Sequence, residues 1–187
     1  MISSSSRTST EWPEGHQTFS DESSVQNDSN APSGWVWRFP SEKWHDRMVN
    51  ASSHVKPTIT IMVWRAIWME GGRGCKSKLV FMERDSSSAK NRYTANSYIK
   101  ALEEGLLPIY DETRKFVQDN ARVHTVRKSM SWFQEHHIAL WDWPPHWPDL
   151  NPIEHCWAWM KGYMRKRGPE STTLKRTRRI LKNSGVG

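Results

Sequence analysis

The sequence predicts an α/β domain, a mixed sheet flanked by helices, and two observations carry that expectation. Strand-like segments come first and are followed by helix, strand, helix, strand and helix patterns, an order that builds a layered sheet. In the last helix, Ile153, Cys156, Trp157, Met160 and Met164 fall on one face at helical spacing, so that helix has an apolar side to bury.

Residues 1–15 are small and polar with Pro13 and Gly15, and read as a disordered start. A short strand is expected at 16–20, ending at Asp21-Glu22, and the polar stretch 23–33 reads as a loop. Residues 34–38 (Gly-Trp-Val-Trp-Arg) alternate in strand fashion and stop before Pro40. The strongest strand is 58–68, rich in Ile, Val, Thr and Trp; Gly71, Gly72 and Gly74 then turn the chain into a second strand near 78–82. A helix is expected over 95–107, with Thr94 as its N-cap and Pro108 closing it. A strand at 114–118, a helix at 125–136 and a strand at 138–141 follow. A proline-rich connection leads to the last helix, which starts at Pro152 and fades near Arg167. The expected organisation is therefore a disordered 1–15, one domain over 16–167, and a basic tail over 168–187.

Composition narrows the function. The chain has 187 residues, 36% of them hydrophobic, and its twelve tryptophans supply much of the burial that aliphatic residues normally provide. No run approaches the ~20 apolar residues needed to span a bilayer, so a membrane partner is not expected. Cys75 and Cys156 show neither metal-ligand spacing nor a disulfide framework. The net charge of +7 belongs to one end: residues 161–187 hold nine Lys and Arg against a single acid, Glu170. Such a segment commonly meets phosphates, although a solvated tail has the same composition.

Three acids stand out by position. Asp21 and Asp119 follow expected strands, and Glu154 lies in the first turn of the last helix. Open α/β sheets hold ligands at such places. Three carboxylates meeting there would repel unless a cation lay between them, and hard oxygen ligands suit Mg²⁺ or Mn²⁺. Two such ions can activate a water or hydroxyl and steady a leaving oxygen in phosphodiester chemistry. Each acid also has a structural explanation. Asp119-Asn120 is a good turn pair. With Pro152 at the first helical position, Asn151 is the N-cap and Glu154 completes a capping box. Glu154, Ala158, Lys161 and Arg165 share a second stripe, which suits a metal-and-phosphate site and equally an ordinary exposed face.

Several blocks, in order, resemble the mariner/Tc-type transposases, their fungal members in particular. They are Ser20-Asp21-Glu22-Ser23, Met62-Val63-Trp64, Leu79-Val80-Phe81, Tyr93-Thr94-Ala95-Asn96-Ser97-Tyr98, Gln118-Asp119-Asn120-Ala121 with His124-Thr125, Asp142-Trp143-Pro144, and Pro148-Asp149-Leu150-Asn151-Pro152-Ile153-Glu154. Thirty-four residues separate Asp119 from Glu154, the gap of the Tc branch. The resemblance runs from about Phe19 to Lys166. It implies a ribonuclease H-like fold and a metal-binding catalytic triad of Asp21, Asp119 and Glu154 on a two-ion Mg²⁺ or Mn²⁺ site. It further implies cleavage and transfer of DNA strands in transposition and integration. Lys161, Arg165, Lys166 and Arg167 are the nucleic-acid-binding candidates, and Asn120 and His124 are accessory candidates placed near the triad. DNA is the implied partner, a homodimer the assembly it allows, and the nucleus the implied location.

The pattern also has departures. The resemblance leads one to expect paired helix-turn-helix domains ahead of the core, and the 20 residues before Asp21 hold no such pattern. His16-Gln17-Thr18 is polar where a central strand should be apolar, which is expected to weaken the placement of Asp21. Arg65 and Trp147 stand where small residues are usual. The alternative expectation is therefore an inactive, truncated remnant that only binds nucleic acid; a third is a nuclease that cuts RNA–DNA hybrids.

Overall fold

The computed structural model describes residues 17–26, 59–142, 151–167 and 173–184. Its strands and α-helices are, in order, β1 (Gln17–Gln26), β2 (Thr60–Glu70), β3 (Arg73–Lys76), β4 (Val80–Phe81), α1 (Ala95–Gly105), β5 (Lys115–Val117), α2 (Arg122–Thr125), α3 (Arg127–Glu135), α4 (Ile153–Arg167) and α5 (Leu174–Lys182). The expected strand at 34–38 lies outside the described residues. The five strands form one mixed sheet in the order β3-β2-β1-β5, with β4 also on β2. β1 runs antiparallel to β2 and parallel to β5. This is the expected α/β architecture, a mixed sheet with helices on both faces.

β1 differs from its expected length. It continues through the polar run Asp21-Glu22-Ser23-Ser24 to Gln26, because every residue from Thr18 onward is paired with β2. Asp21 therefore sits inside a strand, not at its end. The polar start of β1 is accommodated at a cost: Thr18 is fully buried and its Oγ1 has no hydrogen-bond partner.

The β2–β3 hairpin closes through Gly71 and Gly72, both at positive φ (54° and 74°), the conformation that a two-residue turn requires and glycine supplies freely. The third strand is then interrupted. Three residues, Ser77 to Leu79, oppose only Arg65 and Ala66 between the paired positions Ile67↔Lys76 and Trp64↔Val80. At this bulge the Ser77 hydroxyl accepts from the Ala66 N–H at 2.9 Å, replacing a ladder bond. The expected single strand at 78–82 is thus two short pieces.

Alternation along β2 splits the core in two. Trp64 and Ala66 face α1 and α3, where they pack with Tyr98, Leu102, Phe116 and Phe133. Ile61 and Val63 face the other way, against Ile153, Trp157, Met160 and Met164 of α4 and Ile180 and Leu181 of α5. α1 lies so close to the sheet that a Cβ at Gly105 would collide with the Trp64 ring and Val80, so this helix needs glycine at its contact point. Thr94 caps α1 as expected, its Oγ1 accepting from the Asn96 N–H at 3.2 Å.

Three further expectations change. The helix at 125–136 is broken at Val126, whose extended backbone (ψ 150°) separates α2 from α3. The strand at 138–141 is reduced to a single parallel bridge, Leu140 to Phe116. The C-terminal segment, expected as a basic tail, carries a helix. In α5, Thr177, Ile180 and Leu181 are buried at i, i+3 and i+4, enough to dock it on the α4 face.

Candidate active site

Consecutive side chains of a strand point to opposite faces, so Asp21 and Glu22 begin on opposite sides of the sheet. Asp21 faces α4, where Oδ2 accepts from the Trp157 indole N–H at 3.0 Å. Trp157 is buried as the α4 stripe requires. Burial is the main reason that the Asp21 carboxyl is pushed up to about 7; the adjacent Glu22 charge adds to it, the Trp157 bond opposes it, and Glu154 contributes a smaller rise. Asp21 and Glu154 therefore feel one another's charge.

Asp119 follows β5 by two residues and is exposed. Its Oδ1 is fixed twice, accepting from the Ala121 N–H at 2.9 Å and from His124 Nδ1 at 2.6 Å. The His124 bond holds the Asp119 carboxyl below its ordinary value. Asn120 is exposed beside it. His124 is buried in α2 and reaches both ways: Nδ1 to Asp119, and Nε2 to Glu22 Oε1 at 3.2 Å. Its ring lies 4.2 Å from the Tyr98 ring, and the Tyr98 hydroxyl donates to Gln118 Oε1 at 2.5 Å. Desolvation lowers the His124 pKa, but the hydrogen bonds to Asp119 and Glu22 outweigh it and raise it to about 10, so the ring is an imidazolium at neutral pH.

Glu154 occupies the first turn of α4 and is exposed. The helix start is tied to β1: the Asn151 side-chain N–H donates to the Ser20 carbonyl at 3.2 Å, while its side-chain oxygen accepts from the Ile153 N–H at 3.3 Å. Asn151 thus both caps α4 and pins it beside Asp21. Ser20 Oγ in turn donates to the Val117 carbonyl at 3.1 Å, linking β1 to the strand that delivers Asp119. Three chain segments far apart in sequence are thereby held together around β1.

The arrangement supplies only oxygen donors, the set that a hard divalent cation prefers. Among the described residues, no three His, Cys, Asp or Glu side chains stand together as a ready-made metal cage. Asp21 and Glu154 interact through their charges, while Asp119 is held by His124 and the Ala121 N–H. Lys161, Arg165, Lys166 and Arg167 lie farther along α4 and are all exposed. Sequence reasoning missed Glu22, Trp157 and Tyr98 as members of the site. Glu22 had a signal, since a strand that carries Asp21 to one face must carry Glu22 to the other.

The DDE superfamily endonuclease family matches residues 16–176 of this chain, which includes every element just described as part of the site. The chain belongs to that family. The match supports the mixed-sheet, ribonuclease H-like reading of the fold and the resemblance to Tc-type proteins. Curated relatives agree over shorter stretches. The transposable element Tc1 transposase of Caenorhabditis elegans is 57% identical over 42 residues, which cover 22% of this chain and 15% of the relative. The Tcb2 transposase of Caenorhabditis briggsae is 46% identical over 50 residues, covering 27% and 18%. The Tc3 transposase of Caenorhabditis elegans is 31% identical over 99 residues, covering 53% and 28%. Each match spans less than a third of the relative's length. No helix among the described residues is long and apolar enough to cross a membrane.

Proposed function

We propose that this chain is the catalytic core of a DNA transposase, a metal-dependent endonuclease that cleaves and transfers DNA strands in the nucleus. The observation that supports it best is that the segments carrying Asp21, Asp119 and Glu154 are tied to one another, β1 to β5 through Ser20 and Val117 and β1 to the start of α4 through Asn151. Asp21, Asp119 and Glu154 would hold Mg²⁺ or Mn²⁺, two ions in the fullest form of the reading. When bound, the metal supplies an activated water or hydroxyl and stabilises the leaving oxygen.

The chain's own residues prepare that site. Trp157 orients Asp21 through the indole N–H. His124 and the Ala121 N–H fix one oxygen of Asp119 and leave Oδ2 available to a ligand. Asn151 keeps the Glu154 helix start against Ser20. The raised pKa of Asp21 fits a carboxylate that expects a cation, because burial there disfavours the bare charge. Lys161, Arg165, Lys166 and Arg167 would contact the DNA backbone. A homodimer holding two DNA ends is the assembly to test by sedimentation.

A labelled duplex, with an RNA–DNA hybrid in parallel, tests the reading in Mg²⁺ or Mn²⁺. Cleavage of the duplex that is lost in Asp119→Asn and Glu154→Gln is the expected result. Cleavage of the hybrid alone would replace it with a hybrid-specific nuclease. A second reading, a core that binds nucleic acid without chemistry, is favoured by the absence of a closed carboxylate cage among the described residues. It predicts duplex binding with no cleavage and no effect of either variant.

A further inference from the structure

A second charged surface lies away from the carboxylates. α5 carries Lys175, Arg176, Arg178, Arg179 and Lys182 and no acid. Four of these cations, Lys175, Arg178, Arg179 and Lys182, line a cavity of about 500 Å³ together with Phe81 of β4. The Arg178 guanidinium lies 5.3 Å from the centre of the Phe81 ring, and Lys182 Nζ lies 5.8 Å from it. None of the four cations has a carboxylate partner among the described residues. The Nε of Arg178 is buried and has no hydrogen-bond partner among the described residues. Clustered, unpaired cations held over an aromatic ring make a site for a negatively charged partner.

The topology says where that partner would run. Phe81 pairs with Val63 of β2, and Val63 pairs with Ser23 of β1, two residues from Asp21. Two strand spacings across and two residues along put Phe81 roughly 12 Å from Asp21, on the face that also carries α4. One nucleotide of a DNA strand advances about 3.4 Å, so this is a separation of about three or four nucleotides.

We propose that the groove between α5 and β4 holds the DNA backbone a few nucleotides from the phosphodiester presented to Asp21, Asp119 and Glu154. The partner is a DNA strand read by its phosphates, without base specificity. The inference extends the proposed endonuclease reading, but its test needs no catalysis.

The test is fluorescence anisotropy of a labelled duplex with the full chain in EDTA, measured across a salt series. Comparison is with Arg178→Ala, with the exposed double variant Lys175→Ala/Arg179→Ala, and with Lys161→Ala on α4. Each phosphate contact removed should reduce the slope of log affinity against log salt by about 0.9, so the double variant should lose about 1.8. Circular dichroism melts establish that the variants are folded, and the double variant carries the test if Arg178→Ala is not. Unchanged slope and affinity in the folded double variant would overturn the proposal. Retention of duplex binding with loss of binding to phosphatidylserine vesicles would overturn it in favour of a membrane surface. If the groove variants weaken binding while no condition gives cleavage, the groove stands and the endonuclease reading falls; cleavage with an indifferent groove gives the converse.

Discussion

The two faces of the strand pair β1–β2 handle buried charge in opposite ways. On the α1–α3 face, Glu22 meets His124, which meets Asp119, so one imidazolium bridges two carboxylates through contacts of 3.2 and 2.6 Å. On the α4 face, Asp21 and Arg65 are direct cross-strand partners, yet no ion pair joins them. Asp21 is pushed up to about 7, and Arg65, fully buried with all three side-chain nitrogens unpartnered among the described residues, is pushed down to about 10, in both cases chiefly by desolvation. One face has a finished electrostatic network. The other holds charges that await something outside the chain or burden the fold. The compensated face fixes Asp119 through His124, while on the other face neither Asp21 nor Arg65 has an ion-pair partner among the described residues.

Removing His124 should disturb this contrast most. Replacing it with Leu strips the partner from half-buried Glu22, and breaking a buried pair in this way costs about 3–5 kcal/mol. The exposed Asp119 adds little to that. Urea unfolding would measure it, and a loss well under 1 kcal/mol would show that the network contributes nothing. Replacing Arg65 with Met removes a buried, unpaired charge while keeping most of its volume, and should stabilise the protein by about 1–4 kcal/mol in the same assay. Destabilisation would mean that Arg65 has a partner the described residues do not include.

The pH dependence separates the two faces next. The folded pKa of His124 lies above its unfolded value of about 6.5. Its stabilisation is therefore complete below about 6.5 and is lost as pH rises to about 10. Asp21 is an acid whose folded pKa also lies above its unfolded value, 3.8. The folded state keeps that proton longer, so stability falls as pH rises from about 4 to about 7 and then levels. A melting-temperature series should lose the lower arm in Asp21→Asn and the upper arm in His124→Leu. Persistence of both arms in both variants would assign them to other groups. The smallest change is a control that touches neither face's charges: Thr94→Ala removes the α1 cap and should cost about 1 kcal/mol, read as a modest drop in melting temperature.

Much of the fold was legible because local patterns and tertiary packing agree. The Gly71-Gly72 turn, the Thr94 cap and the α4 stripe from Ile153 to Met164 rest on backbone geometry and helical period alone. β1 beyond Asp21 was not legible: Asp21-Glu22-Ser23-Ser24 has the composition of a loop and becomes a strand only by pairing with β2. The length of β1 is thus decided by residues about 40 positions away. α5 was legible in principle, since Thr177, Ile180 and Leu181 keep helical spacing, but its cations masked the stripe. The three acids were named through the resemblance of their motifs, and hydrogen bonds of Ser20 and Asn151 tie the segments that carry them together. The Glu22–His124 contact spans 102 residues, and no local pattern announces it.

The central claim, that Asp21, Asp119 and Glu154 form one divalent-cation site, is tested most directly by Mn²⁺ titration calorimetry. The intact chain should bind Mn²⁺, with the heat abolished in Asp119→Asn and strongly reduced in Asp21→Asn, both variants remaining folded. Absence of binding by the intact chain, or equal binding by all three proteins, would contradict it.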